Sequence, residues 1–208
     1  MKYVRIYNKV IAAFISIFLC LLATSAAADS PTVEIKSTVD HVIKLLTDPR
    51  LSGESNKQER RRLLRDTILS QFDFKEMSRR SLGSNWRRLT PKQQDEFVGV
   101  FTDLLEKAYL GRIESYSKER FIYIKEAIDE PYAEVRSKIV TSKGEEFSIN
   151  YRLKRTDGMW KIYDVVVEDI SLVNNYRSQF DRILSKTSYD ELIRRMKEKL
   201  SDSRHAPA

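Results

Sequence analysis

The chain has one cysteine, Cys20, and two histidines, His41 and His205, among its 208 residues. One thiol inside an apolar N-terminal run leaves no disulfide framework and no cysteine-based metal motif. His41 lies in a segment of ordinary amphipathic helical pattern and His205 near the C-terminus, so neither a histidine-based triad nor a histidine-rich metal site can be assembled. No glycine-rich phosphate loop and no internal repeat is present. After residue 28 no stretch is long and apolar enough to be a transmembrane helix. What remains possible is a fold held by its apolar core alone.

The first 28 residues have the pattern of a secretory signal peptide. Lys2, Arg5 and Lys9 precede an apolar run from Val10 to Leu22, followed by Ala26, Ala27 and Ala28. The run is short for a bilayer span, and the small residues predict cleavage after Ala28; an uncleaved anchor is the alternative. Cys20 sits behind bulky Phe18 and Leu19, where a lipidation site would want small residues. Removing the three basic residues lowers Lys+Arg from 37 to 34 against 30 Asp+Glu, and the net charge from +7 to +4. About 180 residues remain, enough for one domain with a sizeable core. The expected organisation is a signal peptide over 1–28, a single domain over 29–200 and a disordered tail over 201–208.

The first half of the mature chain reads as helices. Ile35, Val39, Val42, Ile43 and Leu46 share one face, ended by Asp48-Pro49, and Leu64, Ile68, Leu69 and Phe72 form a second stripe. Asp73 is a good N-cap for a short helix closed by Gly83, with Phe72 and Met77 at the staple positions. Thr90-Pro91-Lys92-Gln93 opens a longer helix, whose apolar face runs from Phe97 to Tyr116 over about 25 residues, or roughly 38 Å. Gly99 and Gly111 each cost that helix about 1 kcal/mol relative to Ala, which local packing would explain.

From Phe121 the period changes from 3.6 to 2. The spacing predicts strands over 121–128, 133–141, 147–155 and 159–167, separated by Asp129-Glu130-Pro131, Lys143-Gly144 and Asp157-Gly158. Short connections make them an antiparallel meander. The third strand alternates cleanly, with Phe147, Ile149, Tyr151 and Leu153 on one face. The first and last strands are apolar on both faces and need a second cover, which two C-terminal amphipathic helices can supply. The fold class is α+β, with helices packed on a four-stranded, mainly antiparallel sheet.

Asp164 interrupts an apolar strand and is the one candidate for a buried acid or base; an isolated Asp there more commonly serves a structural hydrogen bond. Basic clusters at Arg60-Arg61-Arg62, Arg79-Arg80, Arg87-Arg88 and Arg194-Arg195 are interleaved with acids and read mainly as solvated helix faces. Export argues against nucleic acid as a partner. Arg79, Arg80 and Arg87 are the candidates for contact with anionic headgroups or acidic partner surfaces.

The segment DGMWKIYDVVVEDISLVNNYRSQF at 157–180, together with FDFKEMSRRSLGSNWRRLTPKQQDEF at 72–97 and the helix that continues to Tyr116, resembles the MlaC family. These periplasmic phospholipid-binding proteins, also called the toluene-tolerance family, serve the Mla lipid-transport system. The resemblance covers nearly all of the chain after residue 30. It implies that the space between sheet and helices is an apolar cavity for lipid tails, with phospholipid as cargo and no cofactor. It further implies a non-enzymatic carrier between an inner-membrane Mla ABC transporter complex and an outer-membrane Mla lipoprotein with porin, maintaining outer-membrane lipid asymmetry. On that basis the cavity wall is expected at Val100, Phe101, Leu104, Tyr109 and Ile113 of the long helix and at Phe147, Ile149, Tyr151 and Leu153 of the third strand. Asp169 departs from the pattern, standing where the family is expected to prefer glycine, which bears on the local turn. The alternatives are a carrier of another apolar lipid such as a hopanoid, a pocket enzyme built on a buried carboxylate, and an adaptor with a filled core.

Overall fold

The structure, a computed structural model, describes residues 30–116 and 118–202. The expected signal peptide, Cys20 and His205 lie outside the described residues. Helix α1 (Pro31–Thr47) carries the first stripe. Its start is tied to the sheet, because Ser30 Oγ and the Thr32 N–H both donate to the Glu126 carboxylate at 2.7 Å. Two short 3-10 turns then lead to α2 (Lys57–Gln71). At its end Gln71 Nε2 donates to the Trp160 carbonyl at 3.1 Å and the Asp73 N–H to that of Ile162 at 2.8 Å, which pins the α2–α3 junction to the sheet.

Helix α3 (Phe74–Leu82) is capped as the sequence predicts, with the Glu76 N–H donating to Asp73 Oδ1 at 2.8 Å. Glu76 does not reach back to complete a capping box; its carboxylate turns to Arg79 and Arg80 instead. Gly83 ends α3 at φ +56, a conformation that favours glycine, while a Cβ there would lie 3.1 Å from the movable end of the Arg177 side chain. Thr90 and Gln93 form a full capping box for α4 (Pro91–Glu114, 24 residues). Gly99 and Gly111 do not report close packing: both are exposed, and a Cβ at either would meet nothing within 4 Å.

Strands β1 (Arg120–Asp129), β2 (Tyr132–Val140), β3 (Glu146–Thr156) and β4 (Met159–Val167) form the antiparallel meander. The sheet has five strands rather than four. A two-residue β5 (Ile170–Ser171) pairs back on the end of β4 before α5 (Leu172–Leu184) begins. The turn between them holds Glu168 and Asp169 at φ +46 and +62, the pair of positive values that a two-residue hairpin of this twist requires. The turn forms without glycine because it is anchored: the Glu168 N–H donates to the Ser148 carbonyl at 3.2 Å, and its carboxylate accepts from the Ser148 N–H. Helix α6 (Tyr189–Asp202) closes the described chain two residues past Leu200.

Two clusters make the core. One joins α3, α4, α5 and α6 through Phe97, Phe101, Tyr176, Phe180, Leu192 and Met196. Four rings interlock there, with Phe101 centred 5.1 Å from Tyr176 and 5.6 Å from both Phe97 and Phe180. Each such pair adds about 0.5–1.5 kcal/mol beyond the area it buries. The other cluster lies on the sheet and α1, through Ile35, Val135, Leu153, Trp160 and Ile162.

Candidate functional site

Between the two clusters the walls stand apart. They enclose a cavity of about 940 Å³, lined almost entirely by apolar side chains. Helix α1 contributes Ile35, Val39, Val42, Ile43 and Leu46, and α2 contributes Ile68 and Leu69. Phe72, Phe74 and Met77 close the side next to α3, while Leu105, Tyr109, Leu110 and Ile113 line it from α4 and Tyr116 from just past its end. The sheet supplies Phe121, Ile139, Phe147, Ile149, Tyr151, Ile162, Val165 and Val167. Phe147 at 44% exposure, Val167 at 45% and Ile170 at 65% line the cavity yet face water, so they mark its mouth.

The sequence-predicted residues divide. Tyr109, Ile113, Phe147, Ile149 and Tyr151 stand on the cavity wall. Phe101 and Leu104 do not: both are buried in the helical cluster against α5 and α6. Val100 packs half-buried against the same cluster, and Leu153 is fully buried between the sheet and α1. The cause is a change of partner along α4. Its first half meets the C-terminal helices, and only its last three turns face the gap. Burial pushes the Tyr109 hydroxyl above its usual pKa, with Arg112 opposing, and it also raises that of Tyr151. Both hydroxyls are therefore neutral at ordinary pH, as an apolar wall requires.

Arg79, Arg80 and Arg87 are not on the wall. Arg79 Nη2 and Arg80 Nε donate to Glu76 at 2.6 and 2.7 Å, and Arg80 lies 4.0 Å over the Tyr163 ring. Hydrogen bonding from Arg79, and then from Arg80, holds the Glu76 carboxyl down at about 2 against burial, which raises it. All three residues belong to α3, so these bonds stiffen the helix, and Arg80 ties it to β4 through the Tyr163 ring. Arg87 is exposed and makes no ion pair among the described residues. Asp164, 3% exposed, is off the cavity as well. Its carboxylate accepts from Ser171 Oγ at 2.7 Å, the Val173 N–H at 3.0 Å and Arg152 Nη1 at 3.2 Å, so it staples the start of α5 to β4.

A family model described as MlaC protein matches residues 36–198, which takes in every wall of the cavity. The chain belongs to the MlaC family. It is 26% identical over 209 residues to the intermembrane phospholipid transport system binding protein MlaC of Haemophilus influenzae, covering 96% of this chain and 94% of that protein. It is also 26% identical over 105 residues to the toluene tolerance protein ttg2D of Pseudomonas putida, half of each chain. Among solved structures it resembles the phospholipid-binding protein of Ralstonia solanacearum in complex with a phospholipid. That match has a TM-score of 0.74 and 27% identity over 83% of this chain and 98% of that one.

The part of this MlaC-family cavity that sequence reasoning missed is its α1–α2 side. The stripes of Val39, Val42, Ile43, Ile68 and Leu69 are plain in the sequence, but periodicity shows which way a residue faces, not whether anything meets it. Among the described residues no group of three or more His, Cys, Asp or Glu is arranged to hold a metal ion.

Proposed function

We propose that this chain is a periplasmic phospholipid carrier, which takes both acyl tails into its cavity and leaves the headgroup in water. It passes its cargo between an inner-membrane Mla ABC transporter complex and an outer-membrane Mla lipoprotein associated with porin, and so maintains outer-membrane lipid asymmetry. The observation that carries this reading is the unfilled apolar cavity of about 940 Å³. Taking the roughly 30 Å³ share of a liquid water as the size of a methylene, it holds about thirty such groups. A two-chain lipid with about 30 methylenes loses roughly 24 kcal/mol on leaving a bilayer unprotected, so a carrier must hide nearly all of both tails. A smooth apolar wall does this without holding them tighter than a membrane does. Release then needs only a docked partner that alters the cavity, with no reaction inside this chain.

The enzyme reading needs a buried carboxylate aimed into the pocket, and Asp164, the candidate for it, is committed to Ser171, Val173 and Arg152. The test is to purify the mature protein from a periplasm without added lipid, extract it with organic solvent and identify bound molecules by mass spectrometry. Near-stoichiometric phospholipid is the expected result. A hopanoid or other lipid would keep the carrier and change its cargo; a folded protein with no lipid would overturn the reading.

A further inference from the structure

The charged side chains on the cavity wall are Arg65, Glu106, Arg112, Glu119 and Glu168, of which Glu119 is engaged in a further contact, and they differ in one respect. Arg65 is neutralised by Glu106 at 3.1 Å and Asp103 at 3.5 Å. The Glu168 carboxylate is held by the Ser148 N–H. Farther along α2, Arg60 and Arg61 both pair with Glu114. Arg112 also lines the cavity, yet it makes no ion pair among the described residues; its guanidinium is exposed and lies 5.8 Å from the Tyr109 ring centroid. It follows Tyr109 by three residues and precedes Ile113 and Tyr116 on one helical stripe, and all four line the cavity. A base in the last turn complements the helix dipole, which explains a positive charge near Glu114 but not its place on the cavity stripe.

We infer that Arg112 is the phosphate anchor of the cargo, its guanidinium pairing with the glycerol-linked phosphate at the cavity mouth while its stem covers the tails. This rests on the carrier reading above. The chemistry fits: the phosphodiester follows the glycerol, where the tails end and water begins. An unpaired guanidinium offers a planar donor fork to two phosphate oxygens. Long basic side chains bury their stems on apolar surface and keep the charge in water. The contact reads the phosphate common to phospholipids, not the group beyond it.

The test compares, on delipidated full mature protein, phosphatidic acid with diacylglycerol of the same two chains. The ratio of affinities isolates the phosphate from the tails, and diacylglycerol binding is the internal check that fold and cavity are intact. The wild type is expected to favour phosphatidic acid, and Arg112→Ala to cut that ratio roughly fivefold, the worth of about one basic side chain near an anionic surface. Arg112→Glu is expected to reduce it further and Arg112→Lys to restore most of it, while diacylglycerol affinity falls only by the tail surface that the shortened stem no longer covers. Arg87→Ala, which removes an exposed cation off the cavity wall, is expected to leave the ratio nearly unchanged. An unaltered ratio in both Arg112→Ala and Arg112→Glu overturns the anchor and leaves the carrier standing. A wild type that binds neither lipid overturns the carrier reading, and the anchor falls with it.

Discussion

The two halves of α4 have the same sequence pattern and opposite fates. From Phe97 to Leu104 its apolar face is buried against α5 and α6, with Phe97 and Phe101 fully inaccessible. From Tyr109 to Tyr116 the same face looks across an open gap at α1 and the sheet. Nothing intrinsic to the helix makes the difference. The apolar face of the first half has partners within packing distance; that of the second has walls held apart, because α1 and the α2–α3 junction are fastened to the sheet by Glu126, Trp160 and Ile162. A packed core and a cargo cavity are thus built from one stripe.

The sharpest way to break the comparison is Phe101→Ala, which leaves a hole among four interlocked rings. It is expected to cost about 3–5 kcal/mol, read as a lowered midpoint in urea unfolding. Ile113→Ala, on the other half of the helix, removes atoms that already border empty space and is expected to cost well under half as much in the delipidated protein. Equal losses would mean that the two regions are packed alike.

Next in size is Ile149→Trp, which puts a ring into the gap from β3. Displacing about three methylenes of cargo, each worth about 0.8 kcal/mol, is expected to lower lipid retention about fiftyfold with little change in stability. Retention at the wild-type level would show that the tails lie elsewhere.

Helix α3 belongs to both regions, since Met77 lines the cavity and is also part of the helical cluster. Its buried carboxylate is Glu76, and Glu76→Gln is expected to cost about 2 kcal/mol, because a 6% exposed carboxylate loses charge-assisted bonds to Arg79 and Arg80 within the helix. The pH dependence has a definite sign. The folded-state pKa is depressed from 4.5 to about 2, so this stability is fully present above the higher value and lost as pH falls through the lower one. The gap between wild type and variant, followed by denaturation at each pH, should stay constant above about pH 5 and close on acidification. The smallest effect is expected of Gly99→Ala, which enters open space on an exposed helix face and should stabilise by up to about 1 kcal/mol without altering lipid retention. Destabilisation there would reinstate close packing as the reason for the glycine.

Much of this molecule was legible residue by residue. The Thr90–Gln93 box, the Asp73 cap, the glycine stop at Gly83 and the alternation of Phe147, Ile149, Tyr151 and Leu153 are local signals, and each element appears where its signal stands. The two-residue β5 was too short to leave a periodicity, and its turn runs through Glu168 and Asp169, which give no glycine signal. The cavity wall was read half correctly for the same reason: Tyr109 and Phe101 look alike in a stripe, and what separates them is the presence of α5 and α6 across from one of them.

The helices, the meander and the resemblance that the family match bears out were readable in the sequence alone. These depend on neighbours within a few positions, or on composition, and so survive without knowledge of the fold. Which apolar faces meet and which enclose a void came from the fold alone, as did the pairing of Arg79 and Arg80 with a buried carboxylate and the lack of an ion pair at Arg112 among the described residues. Packing and charge pairing are relations between residues far apart in the chain, and their energies are fixed by distances that no local pattern encodes.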